Sequence, residues 1–179
     1  MKVFQAAAPT VEVNGETVLS IVAGMGTHTD RASRILAGHG LADPRPGSWY
    51  NQQSWLNAFK EIAETLGPNT LYKIGMAVPE KAKFPPQITT VPQALAAIDM
   101  AYRMNHRGGE IGSYQYQETG PSSARMVCRN PYPSDFDRGI IQAMANRFKP
   151  AGRFVSVELE PGAPTRKNGA ESCTYSITW

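Results

Sequence analysis

Few residues in this chain are of types that do chemistry, and their spacing restricts what that chemistry could be. The histidines are His28, His39 and His106, and the cysteines are Cys128 and Cys173. No two histidines stand four apart, so no helix face offers paired imidazoles to a metal. Haem would need a His, Cys, Met or Tyr facing an apolar cavity. His106 follows a helical apolar stripe, where its imidazole also suits the last exposed carbonyls of that helix. Asp135 and Asp137 look like paired catalytic carboxylates, yet both fall in the first turn of an expected helix, where acids complement the dipole. Arg125, Arg129 and Arg138 could gather an anion or pair with acids, Arg138 with Asp135 or Asp137. The segment His106–Gly112, HRGGEIG, follows a helix instead of a strand and lacks a Gly-Lys-Ser/Thr ending, so it reads as a turn and not a phosphate loop. No Ser-His-Asp order or Cys-His pair emerges.

The other candidates are aromatic and apolar. Trp49, Tyr50, Trp55, Phe59, Tyr102, Tyr114 and Met144 are spread over segments that a layered fold would bring together. A few of them lining a pocket, with His106 as a polar tip, would make an ordinary small-molecule site; the rest are core.

The elements that must position these residues are readable from periodicity and turn chemistry. Val11–Val13 and Thr17–Val22 flank Asn14-Gly15, which predicts an N-terminal β-hairpin. Thr27 or Thr29 can cap a helix that stops at Gly38 or Gly40, before a loop over Asp43–Ser48. Trp55, Leu56, Phe59, Ile62, Ala63 and Leu66 mark an amphipathic helix over Tyr50–Leu66, ended by Gly67-Pro68. A short helix from Asn69 is expected to close at Pro79, and Phe84-Pro85-Pro86 to run extended. Pro92 opens a helix through Leu95, Ile98, Ala101 and Tyr102 that breaks over Asn105–Gly109.

Ile111–Gln117 and Ala124–Arg129 then read as strands, as do Phe154–Glu160 and Cys173–Trp179. Between them, Arg129–Lys149 holds an extended Pro-Tyr-Pro and a helix. Ser134 can cap that helix with Asp137 at the capping-box position, and Phe136, Ile140, Ile141, Met144 and Phe148 line one face. The fold class is α+β, a mainly antiparallel sheet covered by a layer of helices.

At 179 residues and 41% hydrophobic, the chain has the size and apolar content of one domain. Its formal charge of +3 comes from scattered Lys and Arg, a poor footprint for nucleic acid. No apolar run approaches the roughly 18 residues of a membrane span, and MKVFQAAAPT is too short for a signal sequence. A cytoplasmic protein with two free thiols is expected.

NPYPSDFDRGII, the helix and strand after it, and the closing TRKNGAESCTYSITW together resemble the carboxy-terminal part of the 4-vinyl-reductase-like domains. Those are related in fold to the haem-nitric-oxide-binding domains and to the TRAPP Golgi-tethering subunits. The resemblance is clearest from Asn130 to Trp179 and extends back to Trp49. It implies one domain over 1–179, with a hairpin and short helix in 1–48 and a ligand-binding core in 49–179.

In phenol-sensing members the resemblance implies zinc, held by a Cys at the helix start, a Cys-x₇-Cys pair and an upstream Glu. The matching positions here are Ser134, Thr165, Cys173 and Glu110. Two hydroxyls cannot replace thiolates at Zn–S distances of about 2.3 Å, so a degenerate site without zinc is expected. The haem-nitric-oxide-binding relatives carry Tyr-x-Ser-x-Arg, which Tyr102-Arg103-Met104-Asn105-His106 does not reproduce. Haem or another tetrapyrrole stays a secondary expectation.

The resemblance thus implies a sensor or carrier holding an apolar, aromatic or tetrapyrrole-like ligand between helices and sheet. Its expected lining is Trp49, Tyr50, Phe59, Tyr102, His106, Tyr114 and Met144. A homodimer through the Tyr50–Leu66 helix is expected with it. An enzyme of tetrapyrrole metabolism, reductase or isomerase, and a scaffold like the tethering subunits are the alternatives; no cofactor fingerprint or acid–base pair supports the enzyme.

Overall fold

The computed structural model describes residues 1–85 and 87–179. Strand β1 (Glu12–Asn14) runs directly into helix, because Asn14 is an N-cap whose side chain accepts the Thr17 amide. Helices α1 (Gly15–Val18) and α2 (Ser20–Gly24) therefore occupy the place expected for a return strand over 17–22. Asn14-Gly15 starts a helix and does not form a hairpin turn. After α3 (Thr29–Gly38) the chain returns as β2 (Trp49–Asn51), and this is the antiparallel partner of β1. The N-terminal pair exists, closed by a long connection instead of a tight turn.

The next three helices follow their apolar stripes. In α4 (Gln52–Leu66), Asn51 caps the Ser54 amide, and Trp55, Leu56, Phe59 and Ile62 are fully buried. That burial uses up the apolar face that suggested dimerisation through this helix. The exposed large apolar side chains among the described residues are Met100, Met104 and Phe154. Helix α5 (Pro68–Lys81) runs past Pro79, which sits so close to the C-terminus that the chain forgoes one backbone bond without breaking the helix. Residues 83–85 carry no regular structure; Pro86, the end of the expected extended loop, lies outside the described residues. Helix α6 (Val91–Met104) starts at Thr90, which caps the Gln93 amide, with Pro92 in its first turn.

Strand β3 (His106–Arg107) then joins β1, giving the small sheet β2-β1-β3. The larger antiparallel sheet has the order β4-β5-β7-β6, from β4 (Ser113–Gly120), β5 (Ser123–Arg129), β6 (Ser156–Leu159) and β7 (Cys173–Thr178). Its register stacks Tyr114, Cys128 and Cys173 in one inward row, and Met126 beside Tyr175 in the next. Both cysteines are free and buried.

Helix α7 (Ser134–Phe148) lies between this sheet and α5. Its N-cap is Pro133 with no side-chain cap, so Ser134 is the first helical residue and Asp137 is not part of a capping box. The α5–α7 contact depends on two glycines. A Cβ on Gly75 would lie 2.1 Å from the Phe136 carbonyl oxygen, and one on Gly139 would lie 2.2 Å from that of Tyr72. The two backbones touch with no side chain between them.

Candidate functional site

The end of α6 places three polar side chains against the apolar interior. Asn105, the C-cap, is a buried junction: its Oδ1 accepts Asn14 Nδ2 at 2.6 Å, Thr17 Oγ1 at 3.3 Å and the Lys83 amide at 3.1 Å. Its Nδ2 donates to the carbonyls of Lys83 and Ala101. The junction ties α1 and the 83–85 segment to α6.

His106, next in sequence, is buried, with Nδ1 2.8 Å from the Tyr102 carbonyl oxygen and Nε2 2.6 Å from the Tyr132 hydroxyl. A carbonyl can only accept, so Nδ1 carries the proton and Nε2 accepts from the Tyr132 O–H. The Tyr132 oxygen in turn accepts Gln52 Nε2 at 2.9 Å. Burial brings the His106 pKa down to about 4, outweighing the bond to Tyr102, which keeps the ring neutral and the relay consistent. Tyr102 donates its own hydroxyl to the Ile111 carbonyl.

Above this relay the interior is packed with rings. Trp55 meets Phe59 at 4.8 Å and Tyr132 at 5.1 Å between centroids, edge to face, and Phe136 closes the group at 4.8 Å from Phe59. What remains beside His106 is a cavity of about 30 Å³, lined by Trp55, Ile98, Ala101, Tyr102, Phe136 and Ile140 among others, the half-buried Phe84 included. That is the room of one or two water molecules.

A second buried group lies behind it. Asp137 accepts Tyr114 Oη at 2.6 Å, both of its oxygens accept Asn130 Nδ2 at 3.2 Å, and Arg166 Nη2 completes an ion pair with both side chains fully buried. Arg166 Nη1 also holds the carbonyl and side-chain oxygens of Asn130 at 2.6 Å. Burial lifts the Asp137 carboxyl, opposed by the Arg166 guanidinium and by the Tyr114, Arg166 and Asn130 hydrogen bonds. Burial also raises the Cys173 thiol, but Arg166, the Thr165 hydroxyl and the Arg166 amide outweigh it, so its pKa lies below that of an ordinary thiol.

Of the residues expected to form a pocket, the structure brings together Tyr102, His106 and Tyr114 on the cavity wall. Phe59 stands one layer back, against Tyr132 and Phe136. Met144 is buried in the core away from the cavity wall. Trp49 lies under the Arg107 guanidinium on the small sheet, and the Tyr50 hydroxyl accepts the Arg45 amide; neither reaches the cavity. Trp55, one of the aromatic set from which a pocket was expected to draw, lines it, and so do Tyr132 and Phe136, which were outside that set.

At the four positions matched to zinc ligands, Thr165 touches Cys173 at 3.5 Å. Glu110 turns to the Gly112 amide, and Ser134 accepts the Tyr175 hydroxyl on its carbonyl. The candidate arginine cluster is dispersed. Arg125 pairs with Glu160 and Arg129 with Glu171, while Arg138 bonds the Val157 carbonyl; Asp135 and Asp137 take Lys167 and Arg166 instead.

No family model matches the chain, and no curated protein does. Solved structures do. An H-NOX protein from S. oneidensis in the Fe(II)NO ligation state has a TM-score of 0.64 at 12% identity, covering 92% of this chain and 97% of that one. A point mutant of the T. tengcongensis H-NOX gives 0.61 at 15% identity, covering 90% and 94%. The unliganded Fe(II) H-NOX protein from K. algicida gives 0.59 at 13%, covering 92% and 95%. The chain has the H-NOX fold. Within it, Tyr132-Pro133-Ser134-Asp135-Phe136 carries the tyrosine and serine of Tyr-x-Ser-x-Arg, with Phe136 in the arginine position.

An H-NOX fold raises the question of haem. His106 is a residue type that can hold haem iron and its Nδ1–H is anchored on a carbonyl, but its Nε2 is bonded to the Tyr132 hydroxyl. The space does not suit haem either. Sites for ligands smaller than a macrocycle already span roughly 300–1,000 Å³, and here about 30 Å³ is open. The residues present do not fit the group.

Proposed function

We propose that this chain is a small-molecule-binding domain, a sensor or carrier, that takes a compact and largely apolar ligand beside His106 between the helices and the four-stranded sheet. The observation that carries this reading is the cavity itself. Its walls are apolar and aromatic, with a few polar tips from Tyr102, Asn105 and His106 held in fixed orientation by the relay and the Asn105 junction. The likeness in fold to an H-NOX protein in an Fe(II)NO ligation state supports it. The cavity has room for one or two heavy atoms, so a larger ligand must displace a lining side chain such as the half-buried Phe84.

Native mass spectrometry of the protein as purified, followed by ligand-observed NMR against a panel of small aromatic and aliphatic compounds, tests this. Ala101 is on the cavity wall, so Ala101→Leu is expected to fill the space and abolish capture while the chain still unfolds cooperatively. Equal capture by wild type and A101L, or no capture by wild type, would defeat the proposal.

A further inference from the structure

We infer that Tyr132 occupies the position on His106 that a metal would take, and that this H-NOX-fold chain works without a porphyrin. His106 is the buried histidine of the chain, His28 being exposed and His39 half-buried, so it is the imidazole available to the interior. Its Nε2 lone pair is already used by the Tyr132 hydroxyl. That tyrosine is not a loose cover. Its amide donates to Asn130 Oδ1 at 2.9 Å, its hydroxyl also accepts from Gln52, and its ring is locked edge to face against Trp55.

Two further features point the same way. The rings of Trp55, Phe59, Tyr132 and Phe136 pack on one another at centroid distances of 4.8–5.3 Å, and the cavity of about 30 Å³ beside them has no room for a planar macrocycle. None of the described residues lining the cavity is a Lys or Arg, so nothing there would neutralise the carboxylate arms of a porphyrin. Lone pair, volume and counter-charge are separate requirements, and the site meets none of them. The interior group of the fold is here supplied by the chain itself, as a Gln52–Tyr132–His106 hydrogen-bond relay.

The test is a titration of the purified full chain with hemin and, separately, with metal-free protoporphyrin IX, read by absorbance and by quenching of tryptophan emission. Neither is expected to saturate at one per chain, and the hemin spectrum is expected to be the same with His106→Ala as with wild type. A band at one hemin per chain that is lost in H106A overturns the inference. Tyr132→Phe removes the hydroxyl and keeps the ring, so it too is expected to take up no hemin; uptake at one per chain by Y132F overturns the volume argument. Nitrogen-15 correlation spectra report the relay itself. His106 is expected as the neutral Nδ1–H tautomer in wild type, with the Nε2 resonance moving toward that of a free lone pair in Y132F. An unchanged Nε2 resonance overturns the assignment of Tyr132 to that nitrogen. These readouts do not depend on whether the small-ligand site is found occupied.

Discussion

A neutral histidine buried at the centre of the fold makes stability depend on pH, with a definite sign. His106 has a folded pKa of about 4 because burial disfavours the imidazolium, against an ordinary value of 6.5 when unfolded. Between those values the unfolded chain binds the proton and the folded chain does not, so stability falls as the pH drops from 6.5 toward 4 and is constant above. From pH 7 to pH 5 the loss from this one group is about 2 kcal/mol, and it approaches about 3 kcal/mol below pH 4. His106→Gln removes the titration while keeping a donor and an acceptor. Its packing cost is independent of pH and cancels in the slope.

Urea unfolding of wild type and H106Q at several pH values between 4.5 and 7.5, with the m-value checked for constancy, separates the two contributions. Wild type is expected to lose about 2 kcal/mol more than H106Q between pH 7 and pH 5. Parallel curves would refute the reasoning, as would an NMR titration that placed His106 near 6.5, because either result would mean that the ring can protonate without breaking the fold.

Two other substitutions probe the surroundings of the site. Asp137→Asn leaves the buried Arg166 charge uncompensated and is expected to cost about 3–5 kcal/mol; the double variant Asp137→Leu with Arg166→Met should recover much of that, which a double-mutant cycle in urea measures. Gly139→Ala puts a methyl 2.2 Å from the Tyr72 carbonyl oxygen and 2.9 Å from Gly75 Cα. It should lower stability by about 1–3 kcal/mol or more through overpacking and backbone displacement. A thermal midpoint equal to that of wild type would mean that α5 and α7 do not touch as described.

The helices at 52–66 and 91–104 were legible because their apolar positions recur at helical spacing and their caps and prolines are local. What depends on distant partners was not. Asn14-Gly15 has the chemistry of a hairpin turn, yet Asn14 is bonded to Asn105, ninety-one positions away, and its capping bond to Thr17 sets the helix instead. Asp137 reads as a first-turn acid because its place in the sequence satisfies that rule. The better signal was its position three and four residues before Ile140 and Ile141, which puts it on the buried face, where only a cation such as Arg166 makes it tolerable. The same holds at the cavity. His106 and Tyr102 were visible as candidates, but Tyr132 between its two prolines read only as extended chain. Its bond to His106 spans twenty-six positions that no local pattern encodes.

The glycine crossing of α5 and α7 has a mechanical consequence. Side chains between helices act as compliant pads that can change rotamer to absorb a displacement; backbone laid on backbone cannot do this. Helix α7 carries Phe136 into the cavity and Asp137 into the buried ion pair, and within that same turn it presses on Gly75. Any event that displaces the α7 backbone at Phe136 must therefore move α5 along with α7. An event in the interior of the molecule would then reach its surface along α5 as the displacement of a rigid two-helix lever.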